Sequence, residues 1–271
     1  MVAPTVTMVC GAGAAIGESP LWQDGRLLWI DPVARRLLGF ADGTLEAVPV
    51  AQAVWSLAAL PDGAVAGTLD DSFFAVGAKG EIKPGLSAQI DPGCRLNDMT
   101  TDAQGGLWAG VMHRGLLATR GAIVHAPSLD EVPRVVASGL GVPNGMKFSA
   151  DGATLYVVDT LVRTLLAYAV APGVLAEPTV VTDFLGLPGK PDGMAIAPDG
   201  SFWVAMWGGG CVVQIAPGGA TLRQIAVPAP HVSSLCFAAA DRLFVTTSRM
   251  RLSPQALIDH PGSGSLFEVT L

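Results

Sequence analysis

The sequence predicts an all-β protein, a six-bladed β-propeller with a central channel. Three observations lead to this prediction. A phrase made of a polar turn and a short apolar strand recurs six times. The strands after these turns are rich in β-branched and aromatic residues, and long amphipathic helical stretches are scarce. The 33 glycines and 20 prolines suit a chain with many tight turns.

The repeated phrase sets the predicted number of blades. It reads WQDGRLLWID in its first copy and APDGSFWVAM in its fifth, and Asp-Gly between apolar runs is a strong hairpin signal. Successive turns are 38, 42, 47, 48 and 42 residues apart, a spacing typical of four-stranded propeller blades. The six copies account for the whole chain, so residues 1–271 are predicted to form one domain. The turns lie at Asp24, Asp62, Gln104, Asp151, Asp199 and Asp241.

The two ends of the chain are predicted to close the ring. Residues 5–10 and residues 265–271 both read as short β-strands. A propeller needs such strands, since its first and last repeats commonly complete one blade together.

Composition excludes several classes of protein. The net charge is −7 with only 16 scattered basic residues, so nucleic-acid binding is not expected. Mean hydropathy is +0.47, yet no run of about 18 apolar residues predicts a membrane span. The N-terminal segment lacks the basic residues of a secretory signal, and the four cysteines are far apart. These features predict a cytoplasmic protein with reduced thiols and no membrane partner, and a monomer is the default expectation.

An alignment of the repeats with one another singles out one position in each blade. Five of these six positions lie seven residues before the turn and the first lies six before it, just ahead of the strand that enters the hairpin. Five of the six residues carry side-chain oxygen, which on converging strands describes a site for a hard cation. Ordinary turn chemistry is the alternative for any one of them. The positions are Glu18, Trp55, Asn97, Asn144, Asp192 and Ser234.

These motifs resemble the SMP-30/gluconolactonase/luciferin-regenerating-enzyme family of six-bladed propellers. The similar segments are GESPLW (17–22), RLND (95–98), PNGMKFSADGATLYVVDT (143–160) and KPDGMAIAPDGSFWVAMWGGG (190–210). The resemblance implies one divalent cation, with Ca²⁺ the first candidate and Zn²⁺, Mg²⁺, Mn²⁺ or Fe²⁺ the alternatives. Its implied ligands are Glu18, Asn144 and Asp192. Arg95 and Asn97 would contact the substrate, with Asp98 close to them.

The chain departs from the family pattern after the segment LWAGVM. Residues 113–121 are short, basic and apolar, where the family usually has a longer and often acidic hairpin. A smaller or less polar lactone therefore becomes an alternative to a polyhydroxylated sugar lactone. His113 is a candidate substrate-binding or lid residue, and an ordinary surface hairpin is the alternative for its segment. Trp207, beside a glycine run, is a candidate wall of the substrate pocket.

The predicted function is metal-dependent hydrolysis of a lactone at the mouth of the channel. The small-molecule substrate would meet Arg95 and Asn97, and Asp192 is the first candidate for the general base. Asp98 is the second candidate, and a hydroxide on the cation is another. Two alternatives stay open: a related metal-dependent hydrolase, lyase or isomerase acting on a small molecule, and a non-catalytic calcium-binding propeller.

Overall fold

The structure is a computed structural model, and it describes residues 3–77, 81–171 and 174–271. Strands dominate it. Within these ranges the backbone forms twenty-five strands and one helix, which confirms the all-β class. The chain divides into two compact units. Unit 1 comprises Met1–Ala53 and Phe184–Leu271, and unit 2 comprises Val54–Asp183. That residues 1–271 form one domain stays a prediction.

The strands follow one another as antiparallel meanders. In chain order, unit 1 begins with β1 (Thr5–Cys10), β2 (Glu18–Gln23), β3 (Arg26–Asp31), β4 (Arg36–Ala41) and β5 (Thr44–Pro49). Unit 2 contains β6 (Ser56–Ala59), β7 (Val65–Thr68), β8 (Ser72–Val76), β9 (Ile82–Ser87), β10 (Cys94–Thr101), β11 (Leu107–His113), β12 (Gly121–Ala126), β13 (Arg134–Leu140), β14 (Pro143–Phe148), β15 (Thr154–Asp159), β16 (Thr164–Ala171), β17 (Val174–Leu175) and β18 (Thr179–Asp183). Unit 1 then resumes with β19 (Lys190–Ile196), β20 (Phe202–Trp207), β21 (Cys211–Ile215), β22 (Thr221–Ala226), β23 (His231–Ala239), β24 (Arg242–Ser248), α1 (Pro254–Asp259) and β25 (Leu266–Thr270).

Pairing groups these strands into sheets that match the repeats. Unit 2 holds the sheets β6–β9 and β10–β13, and a third that runs β14, β15, β16 with β17 and β18 both paired to β16. Unit 1 holds β2–β5 and an eight-stranded sheet. In that larger sheet, β19–β22 meets β23, β24, β25 and β1 through the single pair Trp207 and His231.

The six predicted turns, all within the described residues, each join the first two strands of a group. They connect β2 to β3, β6 to β7, β10 to β11, β14 to β15, β19 to β20 and β23 to β24. Turn carboxylates accept the backbone N–H two residues on, as in Asp62 to Ala64 at 3.0 Å and Asp199 to Ser201 at 2.9 Å. Asp-Gly therefore acts as the hairpin signal that the sequence suggests.

Each unit buries its own apolar clusters. In unit 1, one cluster contains Trp203 and Phe267, and another contains Trp29 and Phe244. In unit 2, the clusters include Phe73 with Met99, Leu96 and Val111, and Trp108 with Met146 and Tyr168. Each cluster combines side chains from consecutive strands of one meander with side chains from a second meander of the same unit. Close packing of these side chains holds the first strand of each meander in position.

The two terminal strands share one sheet. β1 pairs antiparallel with β25, so that Thr5 faces Thr270 and Val6 faces Val269. The sequence predicts that the terminal strands share one sheet, which this pairing confirms, whereas the number of blades and the closed ring stay predictions. No helix in the described ranges has the length and apolar character needed to cross a membrane.

Candidate functional site

A shared irregularity marks the first strands of the meanders. Pairing between first and second strands slips once in β2, β10, β14 and β19 and twice in β23, whereas β6 pairs with β7 without interruption. Such slips, as at β-bulges, re-aim side chains and are frequent next to active sites. The slips in the first four of these strands lie between Glu18 and Leu21, Leu96 and Met99, Asn144 and Lys147, and Pro191 and Met194. Those in β23 lie between Val232 and Ser234 and between Phe237 and Ala239.

Each of these strands has a slip at or directly beside the position picked from the repeat spacing. In β23 the first slip skips Ser233, and Ser234 pairs with Thr246 directly after it. Ser233 is fully buried and its Oγ donates to the carbonyl oxygen of Gly17 at 2.5 Å. Ser234 instead packs against the backbone of Gly193, where an added Cβ would lie 2.2 Å from its Oγ.

Arg95 is the centre of a side-chain network in unit 2. Its Cζ lies 3.6 Å from the centre of the Trp55 ring, a close cation–π contact. Its Nη1 donates to the carbonyl oxygen of Leu96 at 2.7 Å and to Oδ1 of Asn97 at 2.8 Å. A guanidinium held in this way presents a fixed orientation to a bound oxygen atom.

Asn97 extends the network to Asn144. Its Nδ2 donates to Oδ1 of Asn144 at 2.5 Å and to the carbonyl oxygen of Pro143 at 3.0 Å. Nδ2 of Asn144 in turn donates to Oγ1 of Thr160 at 2.9 Å. Three predicted site residues, Arg95, Asn97 and Asn144, are therefore in direct contact within unit 2.

Trp55 is itself fixed by a hydrogen bond to Asp70, which forms an ion pair with Arg114. Its Nε1 donates to Oδ1 of Asp70 at 2.7 Å, and Nη2 of Arg114 lies 3.0 Å from Oδ2 of Asp70. Partial burial acts to raise the pKa of Asp70. The hydrogen bond from Trp55 and the charges of Arg114 and Arg95 outweigh that effect, and the pKa lies below its ordinary value. The carboxylate thus stays ionised and ties the loop after β11 to the ring that carries Arg95.

Asp98 braces two neighbouring meanders. Its Oδ1 accepts from Oγ of Ser56 at 2.7 Å and from the backbone N–H of Met99 at 2.9 Å. The same Ser56 hydroxyl oxygen accepts from the N–H of Met99 at 3.1 Å. One oxygen of Asp98 is therefore engaged in holding β10 against β6, and its assignment as a base stays a prediction.

His113 ends β11 and takes part in the turn that follows. Its Nδ1 accepts the backbone N–H of Gly115 at 3.0 Å, and its carbonyl oxygen accepts from the N–H of Leu116. The loop beyond it is anchored by Arg114 to Asp70 and by an ion pair between Arg120 and Asp91. A role of His113 in substrate binding stays a prediction.

In unit 1, Glu18 borders the slip in β2, and Asp192 lies within the slip in β19. Asp192 is 8% exposed, and Glu18 is half-buried and accepts the backbone N–H of Ser19 at Oε2. Ser19 has φ +48°, a left-handed conformation that is unusual for a residue with a side chain. The strained backbone is thus placed directly after a predicted ligand, and Gly145 after Asn144 in unit 2 has the similar φ of +45°.

Trp207 stacks on His231 in unit 1. The ring centres are 4.4 Å apart with an angle of 13° between the planes. Burial lowers the pKa of His231, and the positive charge of Arg251 lowers it further. A hydrogen bond with the backbone of Met250 acts to raise the pKa but does not outweigh these two effects. A neutral imidazole therefore lies flat against the indole. Trp207 as a wall of a substrate pocket stays a prediction.

Several residues of the network were not selected from the sequence. Asp70, Ser56 and Thr160 connect predicted residues, yet none lies at the aligned position of a repeat. Ser56 directly follows the aligned residue Trp55, whereas Thr160 follows the end of β15 and has no predicted site residue beside it in the sequence. Among the described residues, no cluster of three or more His, Cys, Asp or Glu is placed to hold a metal ion.

Comparison with known proteins gives a consistent family. The SMP-30/gluconolactonase/LRE-like region matches residues 16–249 of this chain. The pentonolactonase of Haloferax volcanii is 31% identical over 253 residues, which cover 90% of this chain and 85% of that protein. The L-arabinolactonase of Azospirillum brasilense is 29% identical over 272 residues, covering 96% and 90% of the two chains. The crystal structure of regucalcin from Agrobacterium tumefaciens, described as a calcium-binding protein, has a TM-score of 0.86 at 28% identity and covers 96% of this chain and 92% of that one.

Proposed function

The chain belongs to the SMP-30/gluconolactonase/LRE-like family, and from this premise we propose that it is a lactonase, a hydrolase that opens a cyclic carboxylic ester. The pentonolactonase and L-arabinolactonase among its relatives support this reaction. The proposed substrate is a small molecule, either a sugar aldonolactone or a smaller and less polar lactone. Hydrolysis adds water across the single bond between the carbonyl carbon and the ring oxygen, which opens the ring and gives a hydroxy acid.

The network around Arg95 is the observation that carries the proposal. A lactone offers a carbonyl oxygen, a ring oxygen and, in a sugar, hydroxyl groups. Arg95 is a donor fixed by Trp55, Leu96 and Asn97, so it is suited to orient such oxygens without rearrangement. We assign Trp207 and His113 to the substrate pocket, following the sequence prediction.

The proposal includes one divalent cation, with Glu18, Asn144 and Asp192 as its ligands. These residues offer two carboxylates and one amide oxygen, a donor set that fits Ca²⁺ first and also Mg²⁺ or Mn²⁺, with Zn²⁺ or Fe²⁺ as further alternatives. Oδ1 of Asn144 accepts from Asn97, which fixes the oxygen rather than the nitrogen as the atom available for a cation. When bound, such a cation supplies Lewis-acid polarisation of a carbonyl oxygen.

Proton transfer is assigned to carboxylates of this chain. Asp192 is the first candidate to take a proton from the attacking water, because it lies at the slip in β19 and is almost fully buried. Asp98 is the second candidate. Its bracing contacts with Ser56 and Met99 leave Oδ2 as the oxygen for that task.

We further propose a cytoplasmic monomer without nucleic-acid or membrane partners. The acidic net charge of −7 disfavours a nucleic-acid partner. Four cysteines that carry thiols suit a reducing compartment.

Two substitutions of Asp192 test the cation and the base separately. Asp192→Ala should abolish cation binding, measured by calorimetry, together with lactone hydrolysis. Asp192→Asn keeps an oxygen for the cation but cannot accept a proton, so it should retain measurable cation binding and lose turnover. Asp241→Ala, in an exposed turn of the same unit, is the control and should change neither. Wild-type turnover in Asp192→Ala would remove Asp192 from the reaction.

A second candidate is a calcium-binding protein without catalysis. The similarity to regucalcin of Agrobacterium tumefaciens, described as a calcium-binding protein, favours it specifically. This candidate predicts Ca²⁺ binding with no hydrolysis of any lactone, whereas the lactonase requires both.

A further inference from the structure

The chain contains only two asparagines, and they are hydrogen-bonded to each other. Asn97 lies in β10 and Asn144 in β14, two neighbouring meanders of unit 2. Nδ2 of Asn97 donates to Oδ1 of Asn144 at 2.5 Å. Both side chains are half-buried, so their hydrogen bonds are shielded in part from water.

The partners of Asn97 fix which way its amide group faces. Arg95 has only donors, so it must meet the oxygen of Asn97, as it does at 2.8 Å. The carbonyl oxygen of Pro143 has only acceptor capacity, so it must meet the nitrogen, as it does at 3.0 Å. A reversed amide would face a donor with a donor and an acceptor with an acceptor.

The orientation of Asn97 in turn fixes that of Asn144. Both hydrogens of Nδ2 of Asn97 are used, one of them on Asn144, which must therefore present its oxygen. Nδ2 of Asn144 is then directed to the hydroxyl oxygen of Thr160. An amide oxygen has two lone pairs, so Oδ1 of Asn144 keeps one for a further partner.

The backbone around Asn97 supports this arrangement. Oγ1 of Thr68 donates to the carbonyl oxygen of Asn97 at 2.9 Å, which ties β10 to β7. The slip between Leu96 and Met99 includes Asn97 itself. The side chain therefore reaches toward β14 from a backbone that is anchored on both sides.

We infer that Asn97 is a positioning residue for the cation ligand Asn144: it holds the amide of Asn144 with the oxygen outward for the cation. This inference rests on the proposed cation site. It gives Asn97 a role in addition to substrate contact. Both hydrogens of its Nδ2 are already donated, so Asn97 can meet a substrate only through a lone pair on Oδ1, which can accept a hydroxyl hydrogen. Partners that orient a metal ligand commonly contribute ten- to hundredfold in metal affinity, so an effect of about tenfold is expected.

Calorimetric titration with Ca²⁺ of the full chain and of two variants tests the inference. Asn97→Leu removes the donor without a change of charge, and Asn97→Asp keeps the shape but replaces the donor by an acceptor. Both should weaken Ca²⁺ binding by about tenfold. The result for Asn97→Asp is decisive because an added negative charge near a cation would, by attraction alone, tighten binding.

Two controls isolate the orientation of Asn144. Gln104→Glu adds the same charge at an exposed turn of unit 2, and Thr101→Val removes a hydroxyl of β10 that donates to the carbonyl oxygen of Ala59. Neither should change Ca²⁺ affinity. If the Asn97 variants fail to fold, Thr160→Val tests the other side of Asn144 and should also weaken Ca²⁺ binding, because it removes the partner of Nδ2 of Asn144.

The outcomes separate this inference from the proposed function. Unchanged affinity in Asn97→Leu, or tighter binding in Asn97→Asp, would overturn the positioning role and leave the cation site standing. A lower thermal stability of the cation-free variant with wild-type Ca²⁺ affinity would also overturn it, since that is the effect of a merely structural contact. A wild-type chain that binds neither Ca²⁺ nor Mn²⁺ would overturn the cation site and the inference together.

Discussion

At the scale of single residues, Arg95 has the most specific surroundings among the proposed substrate contacts. The ring of Trp55, the carbonyl oxygen of Leu96 and Oδ1 of Asn97 together fix its guanidinium. Trp55 is fixed in turn by Asp70, which is paired with Arg114. The orientation of one donor thus depends on a chain of contacts through the loops after β7 and β11.

Arg95→Ala should raise KM for the lactone by about ten- to hundredfold, because a hydrogen bond to a charged group contributes about 1.5–3 kcal/mol. A contact made equally in the ground and transition states leaves kcat little changed. Steady-state kinetics measure this split. Arg134→Ala, on exposed β13, is the control. A loss confined to kcat would show that Arg95 acts in the transition state instead.

We expect His125 to make the stability of the fold sensitive to acid. It is 9% exposed and stacks on Trp108 with ring centres 3.9 Å apart. Burial lowers the pKa of His125, while the nearby carboxylates of Asp102 and Glu131 act in the opposite direction. The folded state therefore favours the neutral imidazole.

The contribution of neutral His125 to the free energy of unfolding should be fully present above the unfolded-state pKa of about 6.5. It should fall as the pH drops below that value, because unfolding then takes up a proton. Urea unfolding at pH 7.5 and 5.5 measures the change. His125→Gln should show a smaller loss than wild type over this interval. Equal losses in both proteins would mean that His125 does not contribute.

At the scale of elements, the slips in the first strands are the feature that places the candidate ligands. In β14 the slip follows Asn144, where Gly145 has φ +45°. A side chain at that φ is strained, so glycine is favoured at this point.

Gly145→Ala should lower the free energy of unfolding by about 1–2 kcal/mol, which is the cost of a left-handed conformation in a residue with a Cβ atom. Denaturant unfolding measures the loss. Gly186→Ala is the matched control, because no atom lies within 4 Å of its added Cβ and no left-handed φ is required there. An equal effect at both positions would argue against a strained slip in β14.

Local chemistry explains what could be predicted about these elements. Four of the six hairpin turns are Asp-Gly, and the other two, at Gln104 and Asp241, follow the same spacing. That spacing selects Asn97 and Asn144, which the structure brings into contact. Asp70 and Thr160 could not be selected, since their contacts depend on how strand ends face one another and no repeat spacing encodes this. That Ser233 is skipped in β23 depends on the pairing with β24, which the repeat spacing does not encode.

At the scale of the whole molecule, the two ends of the chain are paired in one sheet. β1 pairs with β25, and Thr5 faces Thr270. Both side chains are exposed, so they can be replaced with little effect on the core.

The double variant Thr5→Cys with Thr270→Cys should form a disulfide under mild oxidation, because directly paired residues lie within the distance that a disulfide spans. The bond closes almost the entire chain into one loop and should raise the free energy of unfolding by about 2–4 kcal/mol. Thiol titration and denaturant unfolding measure the two effects, with the single variants as controls. Thiols that stay reduced would contradict the observed pairing.

Lactone hydrolysis is the central claim, and proton release at constant pH measures it most directly. The wild-type chain, supplied with Ca²⁺, Mg²⁺, Mn²⁺ or Zn²⁺ in turn, is titrated against pentono- and hexonolactones and against simple γ- and δ-lactones. We expect hydrolysis of at least one lactone well above the spontaneous rate, and its loss on chelation and in Asp192→Ala. No acceleration of any lactone by the cation-loaded wild type would contradict the account.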